Sequence, residues 1–473
     1  MRLQKLVVLV SAFVLLGGML QAKPDRKDDS PPVPAFKPIQ FKGEIKQNDP
    51  NDEKLNQPAK KYPVKLQKDK TYVFDLTSGD FDPYLRLVDK TGAQVAEDLE
   101  GGGNGSSRLV VGMVSSGDHH IIVTSFDGEL GRFQLKIREV NLKGEAKTRT
   151  LGKDGLTING DLEEKDVTDI GKFSKVISVQ LKSEKSYMID ADSQDFDCQL
   201  YLFDAKSKLL SQDHTRIFHM PAADGEHRIV MSSFDAKEGK FDLKIREVNI
   251  NGEAKPRAVG KAGLKHNDDL DEKNTTDLGD FSRVVSVQLK AGQAYMFDLK
   301  STDFDSQLYL FDGKSKLLGQ DHNKAFHVPT ADGTHHLVVK SFDNKAGKFD
   351  LEVNEFNLKG EANPRDVGKN GVIIKGQIGN NDDTPVGKDG KVYSVHLKAG
   401  QTYTIDLESK DIDSFLYLFD AKSTLLAQDD DSGGELNSRI VFRAERDCVY
   451  HIIATSLGGQ DAGEFTLKIR QRE

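Results

Sequence analysis

The sequence predicts an all-β chain of four tandem jelly-roll-like antiparallel β-sandwiches following a signal peptide, and three observations predict it. A motif recurs with a period of 108 residues, the recurring unit alternates apolar and polar positions, and turn residues punctuate the alternation. The composition agrees. With 37% hydrophobic residues, 30% charged residues, 42 glycines and no tryptophan in 473 residues, the chain can build several modest cores separated by polar turns rather than one large core. Its 66 Lys+Arg against 75 Asp+Glu give a formal charge of -9, which excludes a general nucleic-acid binder.

Taken in order, residues 1–22 read as a secretory signal peptide: Arg2 and Lys5, an apolar run from Leu6 to Leu20, then Ala22 at a cleavage point. The run spans about 22 Å as a helix against a hydrocarbon core of about 30 Å, so no integral membrane span is expected after cleavage. No cysteine follows to take a lipid, and the C-terminal residues offer no apolar tail. A secreted, periplasmic or cell-surface location follows. Residues 23–38 form a charged stretch and then Pro31, Pro32, Pro34 and Pro38, an extended linker.

The repeat begins near residue 39. Arg138 to Arg149, Arg246 to Arg257 and Asn354 to Arg365 carry one motif, with Asn141, Asn249 and Asn357 each 108 residues apart. The Asp-x-Asp marker recurs at Asp80, Asp195, Asp303 and Asp411. These place sandwich 1 at 39–140, sandwich 2 at 141–248, sandwich 3 at 249–356 and sandwich 4 at 357–473. At about 100 residues each copy is long enough to fold as an independent bead, joined by short semi-rigid segments such as Lys244 to Glu253. Within copy 3, Val285, Val287 and Leu289, then Tyr295, Phe297 and Leu299, then Phe349, Leu351 and Val353 alternate as half-buried strands should. The run Gln307 to Phe311 is apolar after its first residue and predicts a central strand covered on both sides.

The runs Ala399 to Asp406, Asp411 to Asp420, Leu426 to Asp431, Asn437 to Phe442 and Tyr450 to Ser456 resemble the bacterial pre-peptidase C-terminal domain, and all four copies share the resemblance. It implies a jelly-roll-like sandwich, often attached to secreted peptidases, with roles in secretion or substrate binding and calcium binding in some members. The copies occupy nearly the whole mature stretch, so no peptidase domain accompanies them here.

No His-Glu-x-x-His, Gly-x-Ser-x-Gly or P-loop pattern is present, and no catalytic residue or organic cofactor is expected. Gly101 to Gly105 reads as a loop. Cys198 and Cys448 fall at non-equivalent positions of different copies, which argues against a disulfide framework. The pairs His119–His120 and His335–His336 are strand neighbours that point to opposite faces, and His214 with His219 and His322 with His327 are likewise split, so all are assigned to surface or strand packing.

Carboxylate geometry is the strongest chemical signal. Asp411 and Asp413 share one face of an extended segment, and Asp429 follows Asp411 by eighteen residues, an offset repeated as Asp80 to Asp98, Asp195 to Asp213 and Asp303 to Asp321. Like charges so placed repel by about 2 kcal/mol per pair, which calls for an arginine or a hard cation among them. Copy 4 adds Asp430, Asp431, Glu435 and Asn437, so Asp411, Asp413, Asp429, Asp430, Asp431 and Asn437 are candidate calcium ligands, with Asp80, Asp82, Asp98 and Glu100 of copy 1 a weaker set. The competing expectation has Asp429 capping a turn, the Asp-x-Asp pair bonding backbone amides and Arg439 neutralising the cluster.

The function expected is a non-enzymatic exported binding or adhesion protein that gains avidity from several weak contacts with an extracellular protein or polymer. Two alternatives stand beside it: an accessory or secretion module for a separately encoded secreted peptidase, and a carbohydrate-binding protein, which the lack of tryptophan disfavours.

Overall fold

The computed structural model describes residues 36–52, 54–99, 101–103, 105–379, 382, 384–386, 390–434, 436–457 and 461–472, so the expected signal peptide and most of the linker lie outside the described residues. Every regular element among the described residues is a β-strand. In copy 3 eight main strands run in chain order as Leu264–Leu270, Ser282–Leu289, Tyr295–Lys300, Ser306–Asp312, Leu317–Asp321, Lys324–His327, Gly333–Ser341 and Gly347–Glu355. Counted in that order they form one sheet 1-8-3-6 and a second sheet 2-7-4-5, which is the jelly-roll arrangement. The other copies repeat both orders.

The expected alternation holds and has a physical cause on each face. Val285, Val287, Leu289, Phe297, Leu299, Phe349, Leu351 and Val353 face inward and form one buried cluster between the sheets. In the strand Ser306–Asp312, Leu308 and Leu310 join that cluster, whereas Tyr309 and Phe311 point the other way into a separate cluster with Met188, Val248, Ile250, Leu278 and Val338. The strand is therefore covered on both sides, but its second cover comes from the junction with copy 2.

Residues Lys37–Asn357, which hold copies 1 to 3, form one compact unit, and Leu358–Gln471, which hold copy 4, form another. Within the first unit the copies are not independent beads. Val73, Val110, Val140 and Leu142 pack with Ile170, Tyr201, Phe203 and Val230 of copy 2, so the joint between copies 1 and 2 has an apolar core of its own. The 108-residue motif builds it. Asn141 N–H donates to Asp169 at 2.7 Å and Leu142 N–H to Ser207 Oγ at 2.9 Å. Glu145 N–H donates to Ser178 Oγ and Ser178 N–H to Glu145 Oε2, each at 2.9 Å, while Arg149 pairs with Glu145 at 2.8 Å.

The next joint repeats every contact: Asn249 to Asp277 at 2.6 Å, Ile250 to Ser315 at 2.8 Å, Glu253 to Ser286 at 2.8 Å, and Arg257 to Glu253 at 2.7 Å. Gly252 is required there, because a Cβ would overlap the His336 ring and Ser286 Oγ. Two residues then add as a parallel edge strand, Arg149–Thr150, Arg257–Ala258 and Arg365–Asp366, giving copies 2 to 4 a fifth strand that the described residues of copy 1 lack. Copy 4 holds its own version, with Leu358 N–H on Ser423 Oγ at 2.8 Å and Glu361 N–H on Ser394 Oγ at 2.7 Å.

Candidate binding surface

The Asp-x-Asp segment forms the same loop in each copy. Ser78, Ser193, Ser301 and Ser409 hydroxyls accept the amide two residues on, the central Phe81, Phe196, Phe304 or Ile412 is buried, and the first aspartate accepts an amide from the facing strand. Those bonds are Arg132 to Asp80, Lys240 to Asp195 and Lys348 to Asp303 at 2.8 Å, and Glu464 to Asp411 at 3.0 Å. The residue before each donor is Gly131, Gly239, Gly347 or Gly463, where a Cβ would collide with the aspartate Cβ. The spacing found in the sequence thus records a backbone clasp between two strands.

The acid eighteen residues on is also a cap. Asp429 accepts Ser432 N–H at 3.0 Å and Arg439 N–H at 2.7 Å, and Asp98 accepts Gly101 and Arg108 amides at 2.8 Å. Asp213 and Asp321 do the same in the shorter loops. The expected cation is present but serves another acid: the Arg439 guanidinium pairs with buried Asp406, as Arg108 pairs with Asp75 at 2.6 Å and Arg216 with Asp190 at 2.5 Å.

In copy 4, Asn437 Oδ1 accepts Ser409 N–H at 2.9 Å and its amide donates to Gly434 O at 3.0 Å, while Asp430 accepts the Asp431 amide at 3.0 Å. Asp413 differs. Burial, then the charges of Asp430 and Asp461, push its carboxyl above the usual carboxylate range. Among the described residues no three carboxylate, imidazole or thiol groups are gathered so as to hold a metal ion. Within the candidate set, Asp411, Asp429 and Asn437 each give a side-chain oxygen to a backbone amide. In copy 1, Asp80 and Asp98 are likewise engaged, Asp82 accepts the Phe126 amide through its carbonyl at 2.9 Å, and Glu100 lies outside the described residues.

Sequence reasoning missed what stands beside the second aspartate. Phe126, Phe234, Phe342 and Leu457 donate their amides to the carbonyls of Asp82, Asp197, Asp305 and Asp413 at 2.7 to 2.9 Å. Phe126, Phe342 and Leu457 are exposed, from 47% for Leu457 to 62% for Phe342, and Leu436 of copy 4 is 55% exposed. Phe234 is half-buried, edge-on to His214 at 5.2 Å. The available signal is a large apolar residue directly after the strand-ending serine, where the alternation calls for a polar turn.

Two polar hollows occur elsewhere in the first unit. One of about 210 Å³ lies beneath the glycine-rich loop of copy 1, by Asp75, Ser106 and Arg108, and one of about 570 Å³ lines the copy 2–3 joint along Asn249, Asn251, Asn274 and Arg283. Both cysteines are free, and burial with nearby Asp192, Asp197 and Asp235 pushes the Cys198 thiol up to about 12, which favours its protonated form. The chain is thus a tandem jelly-roll protein with apolar tips.

The model of the bacterial pre-peptidase C-terminal domain family matches residues 389–456, within copy 4. No curated protein matches the chain. Among solved structures it is similar to the CUB1-EGF-CUB2 domain of human MASP-1/3, at 8% identity and a TM-score of 0.17, over 44% of this chain and 99% of that one. It is similar also to the CUB1-EGF-CUB2 domains of rat MASP-1, at 7% identity and 0.15 over 44% and 100%. The Sulfolobus turreted icosahedral virus structure overlaps at 10% identity and 0.14, over 68% and 92%. Overlaps this weak carry no argument about function.

Proposed function

We propose that the protein is an exported, non-enzymatic binding protein whose contacts are the Asp-x-Asp tips. The observation that carries this is the recurrence of a solvent-exposed apolar side chain, Phe126, Phe342 or Leu457, fixed through its own amide to that loop. Repeated weak contacts of this kind gain about 10²–10⁴ in avidity when one partner engages several. The partner is an extracellular protein or polymer. Its test is capture from the extracellular fraction of the source cells by the mature chain and by Phe126→Ser/Phe342→Ser/Leu457→Ser. A defined species held by the first and lost by the second is expected, and equal capture rejects the reading.

The accessory role for a separate secreted peptidase draws support from the family match at 389–456, and a peptidase as the captured species would select it. A glycan as the captured species would select carbohydrate binding. Calcium belongs to the proposal at copy 4 alone, where a cation would relieve the mutual repulsion of Asp413, Asp430 and Asp461. Capture and melting with millimolar calcium or with chelator test it: a midpoint raised by several degrees retains calcium, and an unchanged one removes it.

A further inference from the structure

The histidines pair in a way their sequence positions conceal. His219 ends the strand Arg216–His219 of one sheet and His227 lies on Gly225–Ser233 of the other, and their rings stand 5.2 Å apart between centroids. His327 and His335 repeat this in copy 3 at 5.4 Å. Each pair sits at the end of its core. Ile217 and Ile229, two residues from His219 and His227, belong to the buried cluster of copy 2, as Ala325 and Leu337 do for His327 and His335 in copy 3. The same two positions in copy 4 hold Phe442 and Tyr450, edge to face at 5.3 Å. An aromatic pair therefore closes the sandwich there without imidazoles, and packing alone does not demand histidine in copies 2 and 3.

One nitrogen of each pair is anchored, as it is in His119 of copy 1, 3.1 Å from the Gly117 carbonyl. His227 Nδ1 lies 3.1 Å from the Gly225 carbonyl and His335 Nδ1 3.1 Å from that of Gly333. A carbonyl only accepts, so Nδ1 carries the proton in both and Nε2 keeps its lone pair. A backbone carbonyl holding one imidazole nitrogen is the arrangement that orients the other toward a metal. Across the gap, His219 Nε2 is buried and has no hydrogen-bond partner among the described residues, which is costly for a polar atom with no role. Two imidazoles bound to one ion at about 2.0–2.1 Å with a near-tetrahedral angle have centroids about 5 Å apart, the separation observed twice.

We propose that copies 2 and 3 each bind one borderline divalent transition-metal ion, of the zinc or copper(II) class, through the imidazole pairs His219–His227 and His327–His335, with water completing the coordination. Each ion would tie the two sheets of its sandwich together. Carboxylate-seeking calcium is not the ion for this donor set.

Isothermal titration of the untagged mature chain with zinc chloride at pH 7.5 tests the proposal. Two equivalents per chain are expected, with a raised melting midpoint. In His219→Phe/His327→Phe, which copies the Phe442 solution of copy 4, both equivalents and the zinc-dependent shift should vanish while circular dichroism stays that of the parent. Should that pair fail to fold, His227→Tyr/His335→Tyr, which copies Tyr450, gives the same readout. No saturable uptake by the parent chain, or uptake that survives these substitutions, overturns the assignment.

Discussion

Copies 1 and 2 share a fold and differ on one face. In copy 2 the outer side of the second sheet presents Tyr201, Phe203, Val230, Val176 and Leu209, and the joint from copy 1 covers it. The pairing registers place Arg86, Val88, Ile122, Lys61 and Gln94 at the same positions in copy 1. There a segment of copy 1 itself lies over the face: Arg86 is fully buried and bonds both oxygens of Asp52 at 2.5 and 2.7 Å, with Lys54 and Tyr84 on Glu97 beside it. Pro63 stands where copies 2 and 3 have Ser178 and Ser286, and it has no N–H to offer a joint glutamate. The same jelly roll thus accepts a neighbour or refuses one according to about five side chains. The buried ion pair is a poor source of stability, because two charges are desolvated to make it. Its effect is to make the face unfit for the apolar joint that covers copy 2.

The largest effect expected from breaking this contrast is at Asp52. Asp52→Ala leaves Arg86 buried without its partner and also removes the acceptor for the Lys54 and Leu55 amides, so copy 1 should lose about 3–5 kcal/mol in denaturant unfolding. The double substitution Asp52→Leu/Arg86→Met should recover most of that loss; equal damage in both would mean the pair holds the segment in place by itself. On the apolar side, Phe203→Ala opens a cavity in the joint between copies 1 and 2 and should cost about 3–5 kcal/mol. Calorimetry should then resolve copy 1 from copy 2 as separate transitions, and a single unbroken transition would show that the joint does not couple them.

Acid separates the copies in another way. His219 and His327 titrate near 4 in the folded chain, and His227 and His335 are also lowered, against about 6.5 when unfolded. The unfolded state therefore binds more protons between these values, and the contribution is complete above pH 6.5 and lost as pH falls to about 4. Copies 2 and 3 should each lose on the order of 3 kcal/mol across that window. His219→Phe/His327→Phe should flatten the melting midpoint over the same range, and an unchanged slope would place the titration elsewhere.

Much of this is legible in the residues, and what is not has a physical reason. The period, the strands and the inward positions such as Val285, Val287 and Leu289 follow from alternation, because one core layer imposes period two. The doubly apolar run Gln307 to Phe311 announces a second covering layer, but alternation cannot say whether that layer is the same copy or its neighbour. Asp411 and Asp429 stand out as a spacing whose meaning depends on partners, and the partners are backbone amides of Glu464, Ser432 and Arg439, which leave no mark in side-chain chemistry. The imidazole pairs are hidden because each ring meets a partner on the opposite sheet, eight residues away, whereas adjacency and five-residue spacing draw attention to His119–His120 and His214–His219.

The smallest expected effect concerns the motif that reveals the repeat. Glu253 accepts the Ser286 amide at 3.1 Å and pairs with Arg257 at 2.7 Å, and the pair is about one-third exposed on each side. Glu253→Gln keeps an acceptor for the amide and removes only the charge, so the loss should be about 0.5 kcal/mol and should shrink in molar salt. Gly252→Ala one residue earlier must displace the His336 ring or Ser286 and should cost about 1–3 kcal/mol with no salt dependence. If the glutamate proved the more damaging of the two, charge rather than close approach would be what fixes the joint.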